Sequence, residues 1–156
     1  GYAMGWAGKD INESADPITP QMRAIDGINP IDETFTEAVK HGVTSACTGP
    51  GSANVVGGTF AAIKLVGNRI DKMIIKDPVA MKCAFGENPK GVYGQNGRKS
   101  PVTRMATAAL LRDLLSKSKR YLEAKEEGKD PNFDMKLEAM IPVMKKEKRR
   151  MKSATV

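Results

Sequence analysis

Histidine is nearly absent from these 156 residues: His41 is the only one. No H-x-H, H-E-x-x-H or C-x-x-C spacing occurs, so the chain by itself cannot assemble a convincing zinc site. Cysteine is equally scarce. Cys47 and Cys83 each stand in an apolar, strand-like run, which reads as buried reduced thiols rather than a disulfide or metal clip and fits a reducing, cytoplasmic compartment. Aromatic residues make up 5% of the chain, which argues against a nucleic-acid binder built on stacked side chains. No apolar run approaches the roughly 18 to 20 residues that a membrane-spanning helix requires, and no charged-then-apolar leader opens the chain. A soluble protein without a membrane partner is expected.

The charge is present but badly distributed. Of the net +7, the segment Lys145–Lys152 supplies six basic residues against one acidic one, so the remainder is close to neutral. A basic C-terminal tail over 145–156 therefore follows a domain over 1–144, and its basicity suits a solvated end better than a specific nucleic-acid surface. The start, "GYAMGWAG", has no initiator methionine, which raises the expectation of a chain that begins part-way through a longer protein.

Between these ends the pattern is α/β. Residues 1–35 mix Gly, Pro, Asp and Asn without a period and read as ordered loop. A short helix is predicted over Asp32–Lys40, with Phe35 and Val39 on one face and Gly42 stopping it. "VTSACT", "TFAAIKLVG" and "PVAMKCAFG" then read as three apolar strands in series, each closing on a polar loop, which suggests parallel pairing. Ser100 with Pro101 looks like a helix start, and Asp130 with Pro131 like another; both helices carry apolar stripes suited to covering a sheet. A complete eight-fold barrel needs roughly 200 residues or more, so a barrel is present only in part or the chain is a small open α/β domain.

Four places carry candidate chemistry. The loop "TGPGSANVVGG" sets backbone amides, the Ser52 hydroxyl and the Asn54 amide beyond a strand end, where parallel sheets bind ligands. It lacks the G-x-x-x-x-G-K-[ST] spacing of a nucleotide loop, and its glycines also suit a purely structural turn. Lys82 lies inside an apolar strand, where a bare ammonium is costly; it either snorkels to the outer face or is carbamylated into an anionic metal bridge. Glu87, just past Gly86, either ligates metal or takes a proton at the strand end, or merely opens the turn "ENPKGVYG". His41, at a helix end, reads as a C-terminal cap rather than a catalyst.

Three stretches together, "DPITPQMRAIDGINPIDETFTEAVKHGVTSACTGPGSANVVGG", "AIKLVGNRIDKMIIKDPVAMKCAFGENPKGVYG" and "PVTRMATAALLRDLL", resemble the amidohydrolase superfamily, in its imidazolonepropionase-like branch. The resemblance implies a (β/α)8 barrel, here a partial TIM barrel with parallel strands and covering helices. It implies one or two divalent metals, commonly zinc, that activate water against an amide, cyclic amide or other C–N bond of a small molecule. By the same resemblance Ser52, Asn54, Gly57 and Gly58 belong to the rim loop at the catalytic face, Lys82 matches a carbamylated metal ligand, and Glu87 is the reserve ligand. The family's remaining ligands have no counterpart here, and relatives place an H-x-H pair before Gly1. The chain is thus expected to be an internal fragment, inactive alone and prone to self-association through uncovered strand edges. The alternative is a non-catalytic α/β binding or interaction module with a basic tail.

Overall fold

The computed structural model describes residues 8, 10–95, 100–146 and 149–155, the last of these and Gln95 by backbone alone. Helix α1 (Glu33–Lys40) begins where Asp32 accepts a hydrogen bond from the Thr34 amide and ends with His41 as its C-cap. Strand β1 (Ser45–Thr48) leads through the glycine loop to β2 (Val56–Lys64), and a single turn, α2 (Ile70–Met73), leads to the long strand β3 (Ile74–Gly86). A second single turn, α3 (Glu87–Lys90), and a wide turn over Gly91–Gln95 follow. Two long elements complete the chain, α4 (Arg104–Glu126) and α5 (Met135–Met144), before β4 (Arg149–Thr155). Among the described residues no helix is long and apolar enough to cross a membrane.

The sheet has the order β1-β2-β3-β4. Contrary to the parallel series expected of a partial barrel, β1 pairs with β2 and β2 with β3 in antiparallel fashion, with Ser45 opposite Lys64 and Phe60 opposite Ala80. The cause is connection length. A parallel crossover takes about a dozen residues or more, whereas Gly49–Val55 and Leu65–Met73 are too short to carry the chain back to the same end of the sheet. β4 does run parallel to β3, after the helical hairpin supplies the needed crossover. Since β2 is antiparallel to both neighbours, β1, β3 and β4 all point the same way, and β2 alone is reversed. The backbone of residues 149–155, within the basic C-terminal region, thus lies at the sheet's margin beside β3.

Two apolar clusters hold the sheet. Val55, Val56, Met81 and Cys83 pack against Leu114 of α4 and against Met140 and Val143 of α5. Ala61, Ile63, Leu65 and Met73 pack toward Phe35 and Val39 of α1. Buried Thr107, Leu114, Ser118 and Tyr121 repeat at helical spacing along α4, whereas of the apolar stripe expected there, Met105, Ala108, Ala109, Leu111, Leu115 and Leu122, Met105 and Ala109 are exposed and the rest half-buried. The helix starts come later than expected. Pro101 is buried, and Thr103 caps α4 by accepting from the Ala106 amide at 3.0 Å; Asp134, rather than Asp130, caps α5. Cys83 is buried and in no disulfide, as expected, but Cys47 lies exposed on edge strand β1.

Candidate functional site

The glycine loop is shaped first by what lies against it. A side-chain carbon at Gly49 would come within 2.5 Å of the Phe60 ring, and one at Gly58 within 2.4 Å of the Met22 carbonyl, with Gly58 at φ +118°. The segment from Asp10 to Arg23 runs along this loop and binds it through the backbone. Gly51 N donates to Ile11 O at 2.8 Å, Thr19 N to Val56 O at 2.8 Å, and Thr59 N to Met22 O at 2.8 Å. Asn12 adds a side-chain contact, accepting from the Ala53 amide at 3.1 Å.

Asn54 is 1% exposed. Its Nδ2 donates to the carbonyls of Glu13 and Asp16, each at 2.9 Å, and to Thr19 Oγ1 at 3.3 Å. Its Oδ1 has no hydrogen-bond partner among the described residues. Ser52 lines a shallow cavity of about 370 Å³ together with Asn12, Glu87 and Asn88. Gly57 lines a second cavity, of about 390 Å³, whose walls include Ile11, Asn12, Asp32, Phe35 and Gly49. Asn12 thus stands between the two cavities.

Lys82 is 8% exposed, with Met81, Cys83 and Ala84 buried around it in β3. It lies opposite Gly58 in the sheet, and its Cγ is 3.7 Å from where Gly57 would carry a side chain. Burial pulls its ammonium below the ordinary lysine range, and the neighbouring Cys83 opposes that only in part. Among the described residues no carboxylate forms an ion pair or hydrogen bond with it. Lys82 therefore does not reach the outer surface as a snorkelling lysine would.

Glu87 stands apart. Gly86 turns the chain at φ 78°, and the Glu87 carboxylate beyond it pairs with Lys90 at 2.9 Å and with Arg104 at 2.5 Å. The hydrogen bond from Lys90 leads in holding it below the usual carboxylate range, with Arg104 adding to the effect. Neither an ion pair nor a hydrogen bond joins it to Lys82 among the described residues. His41 caps α1, its Nδ1 lying 2.9 Å from Glu37 O, and is exposed. No group of three or more His, Cys, Asp or Glu side chains among the described residues could hold a metal ion.

The structure thus brings Lys82 to the glycines and Ser52 to Glu87, but it leaves these as two separate pairs. Sequence reasoning missed the segment Asp10–Thr19 and Tyr93, which is 1% exposed and donates to the same carbonyls as Asn54. The irregular composition of that segment gave no sign of its docking; only the aperiodic order inferred for residues 1–35 hinted at it.

No family model matches the chain. It is 35% identical over 132 residues to the amidohydrolase tasK of Hapsidospora irregularis, an alignment covering 78% of this chain and 13% of that protein. It also matches the crystal structure of an amidohydrolase from Thermotoga maritima MSB8, with 42% identity and a TM-score of 0.86, over 92% of this chain and 38% of that one. The chain therefore spans well under half the length of either relative. Over most of its own length the chain is similar to two amidohydrolases.

Proposed function

We propose that the chain is an internal part of a metal-dependent amidohydrolase of the imidazolonepropionase-like branch. That enzyme cleaves C–N bonds of small amide or cyclic amide substrates in the cytoplasm. The observation that carries the reading is Lys82, a lysine buried in the middle of an apolar strand with no carboxylate partner among the described residues. The lysine's neutral form, which burial favours, can add carbon dioxide through nitrogen and release a proton, giving a carbamate whose negative charge a bound cation would offset.

The described residues do not fit a whole metal site. Lys82 as a carbamate supplies one oxygen donor group, while the Glu87 carboxylate is already held by Lys90 and Arg104. The further ligands of a zinc ion, which would activate water in such an enzyme, must lie outside the described residues, and the chain alone is expected to be inactive. Ser52 and Gly57 line cavities where a substrate could rest, and Asn54 and Gly58 hold the loop that shapes them. The interaction-module alternative draws no support from relatives that are both amidohydrolases.

The test is hydrolysis of a panel of N-acyl amino acids, dipeptides and cyclic amides by the natural protein that contains this chain, with bound metal quantified. Stoichiometric metal with turnover, both lost in Lys82→Arg, is the expected result. Turnover unchanged by that substitution removes Lys82 from the chemistry, and absence of turnover across the panel removes the amidohydrolase reading.

A further inference from the structure

Tyr93 lies in the turn after α3 and lines neither cavity, yet it is tied to the wall between them. Its hydroxyl donates to Glu13 O at 2.5 Å and to Asp16 O at 3.0 Å. Asn54 Nδ2 donates to the same two oxygens. Burial, reinforced by the charges of Glu13 and Asp16, pushes the Tyr93 hydroxyl up to about 12, so the phenol keeps its proton and remains a donor at any physiological pH.

The segment these donors hold has no regular structure between Asp10 and Asp16, so its order must come from contacts with its surroundings. A phenylalanine would fill the same space as Tyr93, but only a donor can fix the direction of two carbonyls. On its near side the segment also carries Ile11 O and Asn12 Oδ1, which accept from Gly51 and Ala53 in the glycine loop. Ile11, Asn12 and Glu13 all line the larger cavity.

We propose that Tyr93 and Asn54 are positioning residues: together they clamp the Glu13 and Asp16 carbonyls and so set where the Ile11–Glu13 wall stands against the glycine loop and the larger cavity. The wall's use in binding substrate rests on the functional reading above; the clamp itself does not. Asn54, assigned to a ligand-facing rim by resemblance, acts here through the backbone of another segment.

Amide hydrogen exchange on the 156-residue chain tests the clamp. Tyr93→Phe is expected to speed exchange at Gly51 and Ala53 by about three- to tenfold, the range for losing a net hydrogen bond. Ala84, whose amide donates to Val55 O within the sheet, keeps its rate. Unchanged Gly51 and Ala53, or equal acceleration at Ala84, overturns the proposal. Asp16→Asn breaks the 2.6 Å pair with Lys136 while keeping the Asp16 carbonyl. It should leave Gly51 and Ala53 within about twofold of the parent, and an effect as large as that of Tyr93→Phe overturns the clamp. With any substrate found by the hydrolysis panel, Tyr93→Phe should raise KM about three- to tenfold with a smaller change in kcat. Turnover with unaltered KM overturns the inference and leaves the functional reading intact. Altered exchange without turnover on any substrate does the reverse.

Discussion

Strand β3 carries two lysines six positions apart, and the two halves of the strand treat them oppositely. Lys76 lies in the first half, where Ile75 is 53% exposed and the strand meets solvent. Lys82 lies in the second half, where four consecutive residues from Met81 to Ala84 are buried. The difference is one of cover. Helices α4 and α5 pack over Met81 and Cys83 on one face of this half, and on the other face Lys82 meets the glycine loop at Gly57. The Lys82 stem lies opposite Gly58 in the sheet and in ordinary contact distance of the Gly57 position. Identical side-chain chemistry on one strand therefore becomes a solvated surface charge or a buried amine according to what packs above it.

The comparison breaks most severely if the cover is removed. Leu114→Asp puts an unpaired charge into the cluster between α4 and β3, and it should cost at least about 4 kcal/mol or unfold the chain, as read by urea denaturation. Asn54→Ala should cost about 2–3 kcal/mol, since three hydrogen bonds in a buried setting are lost together and two of their acceptors keep only Tyr93. Lys82→Met should stabilise by about 1–3 kcal/mol because it removes a buried ammonium, whereas Lys76→Met should stay within about 0.5 kcal/mol. Equal effects for the two lysines would erase the distinction between the halves.

The smallest effect concerns the hairpin that forms the cover. Tyr121 donates to Glu138 Oε1 at 2.6 Å, and Lys125 pairs with the same oxygen, joining α4 to α5. The Lys125 bond first, then that of Tyr121, hold the Glu138 carboxyl below its ordinary 4.5. A carboxylate depressed on folding contributes stability above its unfolded value and loses it as pH falls below 4.5 toward the folded value. Glu138→Gln should flatten that acid limb in denaturation curves measured from pH 6 to 3, by well under about 1 kcal/mol given the partly exposed partners.

How far the sequence disclosed this arrangement depends on the range of the forces involved. Helix α1, its His41 cap and the burial of Cys83 follow from local spacing, and the structure shows them, whereas the packed side of α4 runs through Thr107, Leu114, Ser118 and Tyr121 and leaves Met105 of the expected stripe exposed. The direction of β2 did not, because three apolar runs ending in glycines look alike whether they pair parallel or antiparallel. The short connections Gly49–Val55 and Leu65–Met73 were the physical signal that decides it. Lys82 was legible as an anomaly, a charge in an apolar strand, but whether it faced outward or inward depended on the approach of the glycine loop, where its Cγ lies 3.7 Å from the place a side chain would occupy at Gly57. The roles of Asn54 and Tyr93 were not legible, since their partners are carbonyls of a segment without any period of its own.

The most direct test of these two environments is reductive methylation of the native chain, with the extent of labelling at Lys76 and Lys82 followed over time by mass spectrometry. Lys76 should label at the rate of the surface lysines, and Lys82 should remain protected until urea unfolds the chain. Equal labelling of both under native conditions would contradict the account.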